Sequence, residues 1–388
     1  MKPIFFTIPG INWHVPGYGF MLMIGLFISI WWAARRAERS GGNPDVVLNL
    51  GFIAIIGGVL GSRIMYVVHY WDSFKTAGGP LQVAWAVIDI SKGGLEFYGG
   101  FILVTISGLL WLRYFEKVSI RWYLDIVAPS AALGLAIGRI GCLVNGCCFG
   151  STCDLPWAVR FPYGSNAMYH QWKVGLPDAG LREELLYTNK ETGITMPLVR
   201  EVFFVSDARL DQVAEAYREM QRLMQVRQKT TDTAKRHQLT MQLNALGRSL
   251  GSDLLKYEQA AANMLKYDLS AAQLRALANQ QRSLPVHPTQ PYSTITALII
   301  AFFLSALYWR RTRDGQVICT LLLIEPATRW LLEVIRADNP VDTVGMFTIS
   351  QALALLMTII GLAGLIVLRR MEPRSPRAAV RDGESQNC

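Results

Sequence analysis

Apolar residues along this chain gather into long runs separated by short polar segments. The runs lie near Tyr18–Ala34, Val46–Tyr70, Leu95–Arg113, Trp122–Gly146, Tyr292–Trp309, Val317–Ile335 and Gly345–Leu368. A helix needs about 17–25 such residues to cross a bilayer, so the pattern predicts seven transmembrane helices. Between the fourth and fifth runs the period changes. Leu210, Val213, Tyr217, Met220 and Met224 recur at helical spacing behind Ser206 as a cap. Leu239, Leu243, Leu246 and Leu250 recur likewise, and Ser270 stands ahead of Leu274 and Leu277. Such stripes are the packed faces of amphipathic helices. Residues 163–284 therefore read as a helical hairpin or small bundle, with no cofactor site in it. Short extracytoplasmic helices are expected from the region Leu81–Ile90. The expected fold is an all-α polytopic membrane protein, with helices 1–4 in residues 1–162, the insertion at 163–284, helices 5–7 in 285–370 and a cytoplasmic tail at 371–388.

Composition and charge sharpen this picture. About half the chain is hydrophobic and 17% is charged, against roughly 25% in an average soluble domain. Lys2 is the one lysine before the first run, and no small-residue cleavage site follows that run. The run is expected to stay as an anchor. Basic residues cluster after alternate runs: Arg35, Arg36 and Arg39; Arg113, Lys117 and Arg121; Arg310, Arg311 and Arg313; then Arg369, Arg370, Arg374, Arg377 and Arg381. The opposite loops hold little more than Lys2, Lys75 and Lys92. Cytoplasmic loops carry the excess of lysine and arginine, which predicts an outer N-terminus, a cytoplasmic C-terminus and an outward-facing insertion. The net charge of +9 is thus topological, and no nucleic-acid partner is expected. The insertion's 16 basic and 13 acidic residues nearly balance, so it is not a polybasic arm.

Two runs are more polar than a simple span allows. The fourth ends in Gly138–Gly150, GRIGCLVNGCCFG, and the sixth holds IEPATRWLLEVIR with four charges. A charge at the bilayer centre costs about 2.5–3.5 kcal/mol even on lenient scales, which marks it as functional by default. Glu325, Arg329, Glu333 and Arg336 fall at i, i+4, i+8 and i+11, on one helical face beside a kinking Pro326. They suit either an internal ion-pair ladder or an anion site, in which Arg329 and Arg336 offer guanidinium forks and Glu333 holds one of them. Arg139 suits a ligand or snorkels to an interface, and Gly134 and Gly138 form a small-xxx-small pair for close helix packing. Arg63, behind Gly57, Gly58 and Gly61, repeats the design nearer the outer rim. Cys142, Cys147, Cys148 and Cys153 lack a C-x-x-C pair, so no metal site is expected. A structural disulfide or a reactive thiol pair are the open readings. Cys319 and Cys388 look incidental.

These residues resemble a family, the bacterial prolipoprotein diacylglyceryl transferases. The segment VPGYGFMLMIG (Val15–Gly25) is similar to the family's first-span Tyr-Gly motif, and GVLGSRIMYV to its second span. GGLEFYGG (Gly93–Gly100) resembles its His-Gly-Gly segment and GRIGCLVNG its signature GRIGNFING. DLPWAVRFP, HPTQPY (His287–Tyr292) and RWLLEVIR follow in the family's order. The family's histidine is Tyr98 here, and the acid after its Asn-Gly is Cys147.

The resemblance implies a reaction: a diacylglyceryl group passes from phosphatidylglycerol to the thiol of a prolipoprotein lipobox cysteine, and glycerol phosphate leaves. It implies catalytic roles for Tyr98, Arg139, Arg329 and Glu333. Substrate contacts are implied for Tyr18, Arg63, Gly99, Gly100, Asn145, Gly146, His287 and Arg336. No cofactor is implied; the partners are phosphatidylglycerol, the lipobox of a signal peptide and the inner-membrane bilayer. A tyrosine, with an unperturbed pKa near 10, is a poorer general base at neutral pH than a histidine near 6.5. Either Tyr98 only hydrogen-bonds and another group such as His287 takes the proton, or the acceptor differs. The rival functions are a membrane thiol-redox protein using Cys147 and Cys148, and an anionic-phospholipid binder or transporter without turnover.

Overall fold

A computed structural model describes residues 4–8, 13–75, 79–90, 94–176, 180–189, 193–250, 252–338, 343–344 and 347–373. Lys2, Lys92, Gly93, Gly345, the arginines from Arg374 onward and Cys388 lie outside the described residues.

Two short antiparallel strands, β1 (Ile4–Ile8) and β2 (Trp13–Pro16), precede helix α1 (Gly17–Arg39). Then come α2 (Pro44–His69), α3 (Trp71–Lys75), α4 (Pro80–Ile88) and α5 (Phe97–Leu110), which continues as a π-turn over Trp111–Phe115. Helix α6 (Ile120–Asn145) carries the signature and is followed by α7 (Asn166–Val174). A hairpin of β3 (Leu186–Thr188) and β4 (Thr195–Pro197) leads to α8 (Asp207–Lys229), α9 (Thr233–Leu250), α10 (Ser252–Tyr267) and α11 (Ala271–Gln280). The chain then forms α12 (Thr289–Arg310), α13 (Gln316–Val334), the two-residue strands β5 (Thr343–Val344) and β6 (Phe347–Thr348), and α14 (Ile349–Leu368).

Six of these helices are long and apolar enough to cross a membrane: α1, α2, α5 with its π-turn, α6, α12 and α14. Helix α13 has the length of a span, about 28 Å for its 19 residues. Glu325, Arg329 and Glu333 interrupt its apolar run. The expected α-helical, multi-pass architecture is therefore present, and a short helix, α4, forms at Pro80–Ile88 in the region foreseen near Leu81–Ile90.

The described residues form two compact units, one within Ile4–Cys142, Gln290–Val334 and the residues beyond 338, the other within Leu143–Thr289 and Ile335–Asp338. In the first unit, glycines set the helix approaches. A Cβ on Gly99 would strike the Gly61 carbonyl and Met65, and one on Gly100 would lie 2.7 Å from the Gly58 carbonyl. Helices α2 and α5 thus pack backbone to backbone, as small residues permit. On α6, Gly134 and Gly141 meet α1 through Ser29 and through Tyr18 and Met21, whereas a Cβ on Gly138 would meet nothing within 4 Å. The expected Gly134–Gly138 pair therefore packs through one member only, because seven residues rather than four separate the two α6 glycines that face α1.

Two buried charges close to the basic helix ends are fully engaged. Arg36, 4% exposed, donates to the Ile126 carbonyl at 2.8 Å and to Ser130 and Ser305 at 3.1 Å. Its guanidinium also lies over Trp32 and Tyr308. Asp125 is completely buried and accepts the Gly315 and Ile318 backbone N–H groups at 2.7 and 2.9 Å. These are unsatisfied donors of the first turn of α13; Arg311, 3.3 Å away, completes the pairing.

The second unit packs α7, α8, α10 and α11 around Tyr163, Leu185, Leu198, Leu210, Val213 and Leu274. The sequence stripes mark this core: Leu210, Val213 and Tyr217 are buried, and Leu239 and Leu243 are buried on α9. Ser206 and Ser270 cap α8 and α11 through the N–H groups of Arg209 and Gln273. Polar groups inside find partners: Asn263 donates to the Glu184 and Leu186 carbonyls at 2.9 and 2.8 Å.

Three segments of this unit cross just after the signature. Gly150 N–H donates to the His287 carbonyl at 3.1 Å, and Ser151 N–H to the Ile335 carbonyl at 2.8 Å. Ala337 N–H donates back to Phe149, and Cys148 N–H donates to the Asp338 carboxylate at 2.6 Å. Arg336 pairs with Asp338 at 3.0 Å. This pairing corrects one expectation. Helix α13 stops at Val334, since the next carbonyls and N–H groups bond the signature loop instead of the helix, so Arg336 leaves the face that carries Glu325 and Arg329.

Removing a buried charge partner typically costs about 3–5 kcal/mol, so Asp125→Ala should destabilise the protein by that order in denaturant titrations in detergent. A loss below about 1 kcal/mol, the worth of one ordinary hydrogen bond, would mean that the start of α13 is held by other contacts. A second expectation concerns pH. Burial lifts the Asp338 carboxyl above the ordinary carboxylate range, while Arg336 pulls it down. A carboxyl raised on folding stabilises below its unfolded value, and that contribution is lost as pH climbs through the raised one. The melting temperature of wild type minus that of Asp338→Asn should therefore fall as pH rises from about 4; a difference that rises instead would reverse the assignment.

Candidate functional site

The polar residues of the spans divide by what they touch. Arg329, half-buried on α13, donates from Nε to Ser350 Oγ at 3.0 Å. Ser350 opens α14 and is itself 9% exposed. One turn before Arg329 stands Glu325, and the charges acting on its carboxylate are those of Arg329 and Arg139. Helices α6 and α13 thus bring two guanidinium groups to one carboxylate. Arg139 is half-buried and has no hydrogen bond or ion pair within 4 Å among the described residues. Glu333 is buried at 5% exposure, two turns beyond Glu325. The arrangement is a charge-balanced group of side chains in apolar surroundings, in which Arg139 keeps donor capacity to place on an anion.

Arg63 is different. Its guanidinium donates to the carbonyls of Val87, Gly94, Ala86 and Asp89 at 2.7–3.0 Å. The first, third and fourth of these end helix α4, so Arg63 satisfies carbonyls that the helix leaves unpaired. Tyr66 and Phe74 rings lie 5.5 Å from it. Gly99 and Gly100 are buried in the seam with α2, and Tyr98 is half-buried beside them, its ring edge-on to Phe97 at 6.0 Å. Tyr18 begins α1 with 39% exposure and packs along Gly141.

In the other unit, Asn145 ends α6 and Gly146 turns the chain at φ +73°, the left-handed conformation that glycine adopts freely. Cys148 adopts φ +59° without being glycine, held by Asp338. The Asn145 amide reaches Cys147 Sγ at 3.5 Å. His287 takes part in the crossing through its backbone, accepting from Gly150 and donating to Ser151 at 3.0 Å. The cysteines at 142, 147, 148 and 153 form no disulfide, so the disulfide reading is not met. Cys147 and Cys148 are fixed by an amide and a carboxylate instead.

Sequence reading missed Ser350, which has no charge and sits outside every motif, and Asp338, hidden just past the apparent helix. It also missed the hydrogen bond between His69 and Glu96, 2.8 Å between Nδ1 and Oε1. The one signal for that pair was an acid two residues before Tyr98.

A family model described as prolipoprotein diacylglyceryl transferase matches residues 3–367. Similar relatives include phosphatidylglycerol–prolipoprotein diacylglyceryl transferases of Rhodopirellula baltica, 41% identical over 160 residues, and Shewanella oneidensis, 35% identical over 164. A Vibrio vulnificus protein of the same name is 36% identical over 173 residues. These alignments take in 40%, 42% and 44% of this chain, and 32%, 58% and 60% of the respective relatives. With the family model spanning nearly all of its helices, the chain belongs to the prolipoprotein diacylglyceryl transferase family.

Proposed function

We propose that this protein transfers the diacylglyceryl group of phosphatidylglycerol to the thiol of a prolipoprotein lipobox cysteine, forming a thioether and releasing glycerol phosphate. The observation that carries the reading is the pair Arg139 and Arg329 around Glu325. Displacement at the glyceryl carbon requires a stabilised phosphate leaving group, and preorganised cationic donors in a dry site supply that stabilisation. Arg139, without a hydrogen bond among the described residues, is the natural phosphate donor. Arg329, anchored by Ser350, keeps its remaining donors for the same task, and buried Glu333 lies on the same helix to position it. By the family's motifs, Tyr18 lines the lipid entrance and Asn145 and Gly146 are substrate contacts. His287 and Arg336 belong to the substrate side by the family's motif order.

The same reading sets the protein in the bacterial inner membrane with its N-terminus outside and its C-terminus in the cytoplasm. The arginine-rich ends of α1, α12 and α14 support this orientation. It turns the helical insertion, residues 163–284, outward.

Arg139→Ala and Arg329→Ala should each slow transfer by about 10²–10³, the effect of losing one charge-stabilising donor, while melting temperature stays near wild type. The assay is thioether formation on a lipobox peptide by purified protein in phosphatidylglycerol vesicles. Near-normal lipidation by Arg139→Ala would sink the phosphate-clamp assignment. Orientation is tested separately. Protease added to right-side-out spheroplasts should cut between Asp207 and Ser283; protection there, with cutting in the loop Arg310–Gly315, reverses the topology.

A further inference from the structure

We propose that Cys142, Cys147 and Cys148 form a binding site for a soft metal ion, Cu(I), held by three sulfurs. The inference does not rest on the transfer reading. The three Sγ atoms all lie within 4.8 Å of one another. One local stretch of chain brings them together. Cys142 stands in the last turn of α6, which runs unbroken to Asn145. Gly146 then turns at φ +73°, and a left-handed residue just past a helix end reverses the chain. Cys147 and Cys148 follow at once, so their thiols return towards the turn that carries Cys142. A spacing of C-x4-C-C resembles no zinc motif, and the Gly146 turn is what makes a cluster of it.

The thiols are held in place by their neighbours. Cys148 sits at φ +59°, a conformation that a residue with a side chain keeps only where its surroundings over-determine it, as they do at functional sites. Here the Asp338 carboxylate accepts the Cys148 N–H at 2.6 Å, and the Thr289 hydroxyl donates to the Cys148 carbonyl. The backbone of Cys148 is thus pinned on both sides. The Asn145 amide donates to Cys147 Sγ at 3.5 Å, the kind of outer partner that orients a metal-bound ligand. Cys142 is buried and the other two are half-buried, so the sulfurs are largely withdrawn from solvent.

The donor set selects the ion. Metal–sulfur bonds of about 2.3 Å place three ligating sulfurs about 4 Å apart, so small side-chain rotations close the site. Structural zinc is held by four protein ligands. Among the described residues no histidine or carboxylate joins the three thiols in the group. Soft thiolate ligands select Cu(I), and three sulfurs suffice for it. Each sulfur that ligates gives up its thiol proton to solvent, and the ion remains Cu(I) throughout. Asn145 and Gly146 lie between the ligands in sequence, so a bound ion locks the turn that ends the signature.

The test adds Cu(I) alone, without oxygen, to the reduced full-length protein in detergent, against a chromophoric Cu(I) chelator as competitor. Wild type should take up one Cu(I) per chain, show sulfur-only coordination by X-ray absorption, and melt at a higher temperature with the ion than without it. Cys147→Ser and Cys148→Ser should each weaken binding by at least about 100-fold, beyond the 10–100-fold typical of outer partners, while their metal-free melting temperatures stay near wild type. Cys142→Ser should weaken it equally; its position is buried, and the two half-buried positions carry the test if that variant does not fold. Cys153→Ser and Cys319→Ser should bind as wild type does. Undiminished uptake by the Cys147→Ser, Cys148→Ser double variant overturns the proposal, as does copper coordinated by nitrogen or oxygen. Tighter binding of Zn(II) than of Cu(I) in a parallel titration overturns it too.

Discussion

An ionised group carried into hydrocarbon must be given partners, and the membrane-embedded part of this protein is organised around that requirement. Arg36 is saturated by a carbonyl, two hydroxyls and two aromatic faces, and Asp125 by two backbone N–H groups and Arg311. Arg63 is saturated by four carbonyls. Each of these charges also solves a second problem, since Asp125 caps the start of α13 and Arg63 closes the end of α4. Desolvation of a charge is offset only when its remaining valences are satisfied too. Structural charges in the bundle meet that condition locally. Arg139 does not among the described residues, and that contrast, more than position along the helix, supports its proposed role as an anion-binding group.

The glycine seams follow from the same constraint. Helices surrounded by lipid gain nothing from apolar contact alone, so they associate through close packing and polar pairing. Backbone contact between α2 and α5 brings Ser62 to Glu96 and Arg63 to Gly94. Without the approach allowed by Gly61, Gly99 and Gly100, neither polar contact could form. These glycines thus act as spacers, and the polar contacts at the start of α5 depend on the register they set.

Much of this was legible from residue order. Apolar runs gave the membrane helices within a few residues, because a span's length is fixed by bilayer thickness and not by tertiary context. The stripes Leu210–Val213–Tyr217 and Leu239–Leu243, with Ser206 and Ser270 as caps, gave the insertion's buried faces for an equally local reason. Arg139 and Arg329 stood out because charge is rare in such runs. What could not be read was where a helix stops for a tertiary reason. Arg336 continues the i, i+4, i+8 pattern perfectly on paper, yet the backbone after Val334 bonds to Phe149 and Ser151 instead. Neutral partners such as Ser350 were equally silent, since a serine in a span carries no signal until the arginine opposite it is known.

In the proposed reaction the two positions that depart from the family's motifs, Tyr98 and Cys147, belong to the acceptor half, and that asymmetry has a physical basis. Stabilising a phosphate leaving group demands fixed cationic charge in a dry environment, which few residue types can provide, so the arginines have little room to vary. Taking a proton from a thiol demands only an imidazole or carboxylate that reaches the sulfur, and several positions around one helix start can present it.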